Sequence, residues 1–539
     1  MTEENYWTAG HRADAIKELQ QSQVDDEVWD MIIIGGGITA AGIAREAGRR
    51  GLRTLLLERQ DFAWGTSSRS SKMVHGGLRY MASGDIKTTL HSVHERERLM
   101  NEAPGLVDRM DYMMAHYRGQ FPGRTIFNLL LAVYDIFAGK KYRQFVPRKQ
   151  LEVVAPGIRL QGLIGGTQFS DAVTDDSRLV MRVLHEALAD DVVALNYCGV
   201  NSVLVENGKV CGVQAEDVVG GEKFKLHSHV VINATGAWAD ELRGSIGAEK
   251  KIRPARGSHI VIPAERLAIK HSFTVLHPDD KRPVFVYPWE GRTVIGTTDL
   301  DNGGIDNREV GITAGELNYL LKLVDFQFPG AEITAADIIS TWAGVRPLVS
   351  SGAKNSSKEK RDHSIWDEAG LVSVSGGKLT TFRLIALDVI AAARRYIPEF
   401  PSGNFSENIF HKIPVEKQQL NVADKQLNRR LLGFYGRDAQ IITRRNEADN
   451  ERIPGTVTLY SELRWSAGHE AVIHLDDLLL RRTRLGLILK NGGMNSDDTE
   501  QKIAAICSEE LGWNNDKWLQ ERSRYLNIWQ HYYSLPADS

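Results

Sequence analysis

Cysteine is scarce: Cys198, Cys211 and Cys507 are the only three in 539 residues, and none lies in a CxxC or other metal-ligand spacing. An odd, scattered set excludes a disulfide scaffold as the source of stability and points to a reducing compartment. An excess of charge of one sign is lacking too. Lysine and arginine number 66 against 69 acidic residues, a formal net charge of −3, so composition gives no support for a nucleic-acid partner. The opening MTEENYWTAGHRADAIKEL has no basic head followed by an apolar run, which argues against a signal peptide and reads as a short helical arm. Nor does any stretch reach the roughly 20 apolar residues of a spanning helix. The nearest, RTIFNLLLAVYDIFAGKKYR at 124–143, is broken by Asn128 and Asp135. With Arg124, Lys140, Lys141 and Arg143 at its ends, it suits either a buried helix with solvated ends or a helix lying in a bilayer interface.

What is present is length, glycine and pattern. A chain of 539 residues exceeds the size of a single core and implies two or more domains, and 49 glycines imply many tight turns. DMIIIGGGITAAGIA at 30–44 runs a buried strand into three glycines and then into a helix of small residues, and LRTLLLE at 52–58 supplies the next parallel strand. In this βαβ unit Gly35, Gly37 and Ala40 occupy the positions that let a backbone approach a pyrophosphate at a helix N-terminus. Glu58, at the end of the second strand, is placed to accept hydrogen bonds from the adenosine ribose. A carboxylate there would repel the 2′-phosphate of NADP.

NAD and FAD share this fingerprint, and three later features favour FAD. TSSRSSK at 66–72 offers the hydroxyls of Thr66, Ser67, Ser68 and Ser71 and the cation of Lys72. NATGAWAD brings a second small-residue turn at Ala234, Thr235 and Gly236, and SGGKLTT a third at Gly376, Gly377, Leu379 and Thr380. Val200, in a strand-like segment ahead of Asn207 and Gly208, completes the expected cofactor set.

Between these turns, strand-like segments dominate from about 140 to 230, with a hairpin at Asn207 and Gly208, and another is expected at Glu290 and Gly291. A helix is expected around 315–325, and residues 371–396 read as strand, glycine turn and long helix. PEFPSGNFSENIF at 398–410 marks a boundary, after which the pattern is helical, with one helix expected to start near Asp476. The expected organisation is a leader at 1–28, an α/β body at 29–397 in which a Rossmann-like domain is interleaved with a mixed-sheet substrate domain (roughly 75–165 and 240–350), and an all-helical C-terminal domain at 398–539.

GGGITAAGIA, TSSRSSKMVHGGLRYM, SDAVTDDSRLV, INATGAWAD, GSHIVIP, IGTTD, WAGVRPL, GGKLTTFR and LLRRTRLG occur in the order found in the aerobic, quinone-linked FAD-dependent glycerol-3-phosphate dehydrogenases, and the chain resembles that family over roughly residues 28–490. Two departures are Ala40 in place of a third glycine and a longer leader. The resemblance implies an FAD domain of the glutathione-reductase and D-amino-acid-oxidase type. It also implies oxidation of sn-glycerol 3-phosphate to dihydroxyacetone phosphate, with hydride passing to flavin N5 and electrons to ubiquinone or menaquinone.

On this resemblance, the substrate phosphate calls for arginine, and Arg79, Arg346 and Arg361 match. Arg346, ahead of Pro347, is expected on a stiff turn. His259 and His75 are the candidates for proton removal from the C2 hydroxyl, Tyr80 for a hydrogen bond to substrate, and Lys378 for a cation at the third turn. No metal is expected. The Arg481, Arg482 and Arg484 cluster could face anionic lipid or make interdomain salt bridges. The implied location is cytoplasmic, peripheral to the inner face of the membrane, and a homodimer is left open. The competing expectations are a glycerophosphate oxidase that reduces O2 to H2O2, an amino-acid oxidase of the same fold, and a flavin-binding protein without catalysis.

Overall fold

The apolar residues 31–34 fall in the strand Val28–Ile34, the centre of an eight-stranded sheet in a computed structural model that describes residues 7–78, 81, 85–302, 309–350, 362–403, 405, 407–494 and 497–537. Lys223–Asn233 pairs parallel to it on one side and Thr54–Leu57 on the other, with Val193–Leu195 and Leu371–Gly376 extending the parallel set. Alternate residues serve opposite faces. Met31, Ile33 and Leu56 pack with the helices Ile38–Gly48 and Phe382–Ala393, while Ile32, Ile34, Leu55 and Leu57 pack with Ala15 and Leu19 of the helix Ala9–Val24 and with the sheet hairpin. Burial on both faces is why this strand reads as one apolar run rather than an alternation. At Gly42 a Cβ would come within 2.8 Å of Phe382, so glycine here lets the two helices approach.

A second, ten-stranded mixed sheet is built from Ile252–Pro263, Arg292–Gly296, Pro283–Trp289, Ser272–Leu276, Val107–Tyr117 and Leu163–Thr174, with Ser340–Val349 paired along Ile252–Pro263. Both expected hairpins form. Asn207 and Gly208, and likewise Glu290 and Gly291, adopt the positive φ pair that closes a two-residue turn. The helix Ala314–Gln327 opens with a reciprocal cap between Thr313 and Glu316. The C-terminal helices share an apolar core with this sheet: Leu463, Leu478, Trp518 and Trp529 pack with Trp289 and Trp342.

Strand prevails over residues 140–230 as expected, interrupted by the helices Arg148–Val154 and Asp176–Leu188; Asp175 caps the second by accepting the Arg178 N–H at 2.8 Å. One expectation is corrected. The continuous helix expected near Asp476 is instead a π-turn, Asp477–Arg482, a left-handed Arg484, and the short helix Leu485–Ile488. The reason is electrostatic. Arg481 and Arg482 both donate to Asp61, Arg484 pairs with Asp175 and Asp176, and all these groups are buried. A regular helix would send such neighbours to different sides, and widening the turn lets them all face the body. The arginine cluster therefore joins the C-terminal part to the body and does not face lipid.

Candidate functional site

The first glycine turn is bare because its neighbours leave no room for a side chain. Gly35 has φ +116°, and a Cβ there would lie 2.7 Å from the Ala234 carbonyl oxygen. A Cβ on Gly36 would meet Glu58 at 2.8 Å, and one on Gly37 would stand 3.0 Å from Ser67 Oγ. The Glu58 carboxylate accepts the N–H groups of Gly36 (2.6 Å) and Gln60 (2.7 Å), which fixes it beside the turn; burial nonetheless holds its pKa above the usual carboxylate value.

All three small-residue turns open onto one cavity of about 370 Å³. Its wall carries Gly35, Gly37, Glu58, Thr66, Ser67, Val200, Ala234, Thr235, Gly236, Gly376, Gly377 and Leu379 from the expected cofactor set, and Lys378 from the expected catalytic set. Ser375 Oγ donates to the Gly236 carbonyl at 3.0 Å and ties the second turn to the third. Gly376 and Gly377 are left-handed, at φ +82° and +79°, with Asp362 and Ile385 where side chains would stand. The helix Ile38–Gly48 begins at Gly37 and points its positive end into this space. A stripped backbone, a helix N-terminus and an acidic residue at the second strand suit an elongated dinucleotide with an anionic centre.

Sequence reasoning missed several wall residues, among them Gln60, Trp64, Trp238, Pro347 and Ser375. Trp64 and Trp238 lie 5.7 Å apart between ring centroids; Trp64 stands just before TSSRSSK and Trp238 inside NATGAWAD, and that placement was the only signal.

Other members of the expected set are not on this wall. Ala40 is fully buried in the helix, and Ser68 donates, at 3.5 Å, to the Gly65 carbonyl. Thr380 Oγ1 donates to the His75 carbonyl at 3.3 Å, joining the third turn to the histidine-bearing segment. Lys72 is placed away from the cofactor wall. Its ammonium is buried against Asp176 at 2.9 Å and lies 4.6 Å from the ring of Trp342, and burial, with Arg484 adding to it, lowers its pKa to about 8. Arg79, Tyr80 and Arg361 lie outside the described residues.

His259 is 1% exposed on Ile252–Pro263, stacked on Trp342 at 4.7 Å between centroids, with Nε2 2.9 Å from Ser71 Oγ. Ser71 is thus a histidine partner. Burial first, then the cations of Lys72 and Arg346, push the His259 pKa well below 6.5, so the ring is neutral at neutral pH. Gly296, opposite in the sheet, leaves space for the ring; a Cβ there would lie 2.1 Å from His259 Cδ2. Arg346 is not on a turn. It sits inside the strand Ser340–Val349, where pairing with Ile252–Pro263 holds the backbone extended, and its guanidinium donates to Asp299 (3.1 Å) and Thr297 Oγ1 (2.9 Å). Lys378 Nζ donates to Ser92 Oγ at 3.2 Å.

Residues 30–384 match the family described as FAD dependent oxidoreductase, and residues 399–518 match the C-terminal domain of alpha-glycerophosphate oxidase. An aerobic glycerol-3-phosphate dehydrogenase of Staphylococcus haemolyticus is 32% identical, covering 87% of this chain and 88% of its own. That of Bacillus subtilis is 34% identical over 74% of this chain and 73% of its own. The solved structure of the glycerol-3-phosphate dehydrogenase from Bacillus halodurans complexed with FAD superposes with a TM-score of 0.75 at 26% identity, covering 97% of this chain and 98% of that one.

Proposed function

Because the chain belongs to the FAD-dependent glycerol-3-phosphate dehydrogenase family, we propose that it oxidises sn-glycerol 3-phosphate to dihydroxyacetone phosphate and delivers the electrons to a membrane quinone, ubiquinone or menaquinone. The observation that carries this reading is the convergence of three glycine turns from distant parts of the chain on one cavity with Lys378 on its wall. FAD is the cofactor, held by the turns around Gly35, Gly236 and Gly376; when bound it supplies the two-electron oxidant that takes hydride from C2.

The chain's own groups manage charge and protons. Lys378 and Arg346 offer cations to the phosphorylated substrate, Arg346 being pre-oriented by Asp299 and Thr297. Arg79, Tyr80 and Arg361 are proposed as the remaining substrate contacts, with residues 75–165 and 240–350 forming the substrate part. His259 accepts the C2 hydroxyl proton, since burial and neighbouring cations keep its ring neutral with a lone pair to offer. We assign His75, whose carbonyl accepts the Thr380 hydroxyl at 3.3 Å, a position near the flavin.

Steady-state turnover separates the acceptors. With glycerol 3-phosphate, a quinone analogue is expected to be reduced in step with substrate, with little peroxide in air. Stoichiometric peroxide with no reduction of the quinone analogue would replace this reading with the oxidase.

A further inference from the structure

The strands Cys198–Glu206, Lys209–Asp217 and Lys223–Asn233 run antiparallel to one another at one side of the FAD sheet. Each carries one metal-ligating side chain to the same place. Glu206, Cys211 and His227 offer a carboxylate oxygen, a sulfur and a ring nitrogen that all lie within 4.8 Å of one another. Spacing along the chain hides this group, because sheet pairing is what brings His227 beside Cys211.

The local fold aims the thiol. Leu204 pairs with Gly212 and Val205 with Val210, which leaves Cys211 as an extra residue with no partner across the hairpin. Such a bulge re-aims the side chain it carries. Gly212 in turn pairs with His227, and a Cβ there would lie 2.9 Å from His227 Cα and 2.1 Å from the Leu226 carbonyl oxygen. Glycine next to the bulge therefore lets the strand with the cysteine close on the strand with the histidine.

Chemistry selects the ion. A sulfur, an imidazole and a carboxylate suit zinc, whereas magnesium and calcium take oxygen ligands. Zinc bonds of about 2.0–2.3 Å set tetrahedral ligands about 3.3–3.6 Å apart. Closing the set takes a shift of about 1 Å, within reach of Glu206, whose side chain is exposed. Asp26 Oδ1, 3.8 Å from His227 Nε2, adds negative charge beside the imidazole. Burial first, and then Glu206, raise the Cys211 pKa while Lys225 acts in the opposite sense, so the thiol proton leaves to solvent as the metal binds.

None of these three residues lines the cofactor cavity, and none has a part in the proposed reaction. We propose that Glu206, Cys211 and His227 form a zinc site, completed by water, that clamps the three strands together. Two of the clamped strands lead to the cofactor wall, one at Val200 and the other at Ala234, just past Asn233.

The test uses FAD-loaded full-length protein freed of metal, each variant being compared with itself with and without zinc. Cys198 and Cys507 are 0% exposed, so Cys211 is the thiol open to iodoacetamide. Equimolar zinc is expected to slow Cys211 alkylation at least about tenfold, since the free thiolate is the nucleophile and the metal takes its lone pair. Glu206→Gln and His227→Gln should lose that protection and keep the parent's FAD content. His94→Gln, at an exposed histidine elsewhere, should stay protected. Cobalt(II) gives a second reading that does not depend on alkylation. Bound tetrahedrally to the thiolate it absorbs in the red, clear of the flavin, and the band is expected in the parent and absent from Cys211→Ser. The proposal is overturned if zinc does not protect the parent, if Glu206→Gln and His227→Gln stay protected, if His94→Gln loses protection equally, or if the cobalt band is missing or survives in Cys211→Ser.

Discussion

At residue scale, Gly35 and His259 carry the sharpest consequences. Gly35→Ala places a methyl group against the Ala234 carbonyl at a φ that L residues rarely adopt, so FAD content of the purified protein is expected to drop to a small fraction of the parent's. An FAD-saturated variant would show that the turn tolerates a side chain. His259→Gln should retain FAD and lower kcat by about 10²–10⁴-fold. Because the folded imidazole titrates well below 6.5, the proton acceptor stays available as pH falls through that value, and kcat/KM should show no acid limb centred near 6.5 that vanishes in His259→Gln. Such a limb would mean that the ring is not held neutral by burial and its neighbours.

The glycines were legible from the chain alone because their constraint is local: a turn with no space at Cβ needs glycine wherever its partner comes from. Lys72 and Arg346 were not fully legible. Whether a lysine beside five hydroxyl residues meets a cofactor or a buried aspartate depends on Asp176, more than a hundred positions away. Arg346 read as a turn residue because proline follows it, yet ten consecutive pairings with Ile252–Pro263 hold it in a strand.

At the scale of elements, the cap of Ala314–Gln327 and the helix Asp176–Leu188 show what local pattern does and does not reveal. Thr313 and Glu316 satisfy each other's backbone donors, so Thr313→Ala should cost about 1 kcal/mol in chemical denaturation while leaving FAD content unchanged; no measurable loss would show that the cap is dispensable. Glu316 also accepts the Ser258 hydroxyl at 2.8 Å, one residue from His259, so this helix braces the strand that carries the proposed base. The hairpins at Asn207 and Glu290 were readable from their two-residue turns. The helix Asp176–Leu188 was missed because its polar residues, Asp176, Arg178, Arg182 and Glu186, are buried rather than solvated, and it sits inside a region rich in strand residues. The break at Asp477–Arg482 could not be read at all, since it follows from three arginines finding partners in the body.

At the scale of the whole molecule, those partners make the C-terminal helices and the FAD body one structure. Arg178 grips Glu470 with two hydrogen bonds of 2.6 Å, both side chains 1% exposed. Burial acts to raise the Glu470 pKa, but Arg178 and His185 more than offset it and leave it at about 2. A depressed carboxylate contributes stability that is complete above its ordinary value of about 4.5 and is lost as pH falls toward 2. Melting temperature should therefore decline through that window in the parent. Glu470→Gln, which strands a buried guanidinium, should be destabilised by about 3–5 kcal/mol at neutral pH and decline less steeply in acid. Parallel curves for the two proteins would remove Glu470 from the acid response.

The central claim is that the glycine-walled cavity holds FAD while the cations beside it select a phosphorylated alcohol, and the most direct measurement is the flavin absorbance of the purified protein during anaerobic titration. Glycerol 3-phosphate is expected to bleach the flavin band at concentrations where glycerol leaves it unchanged. A protein without a flavin spectrum, or one bleached equally by both compounds, would contradict the account.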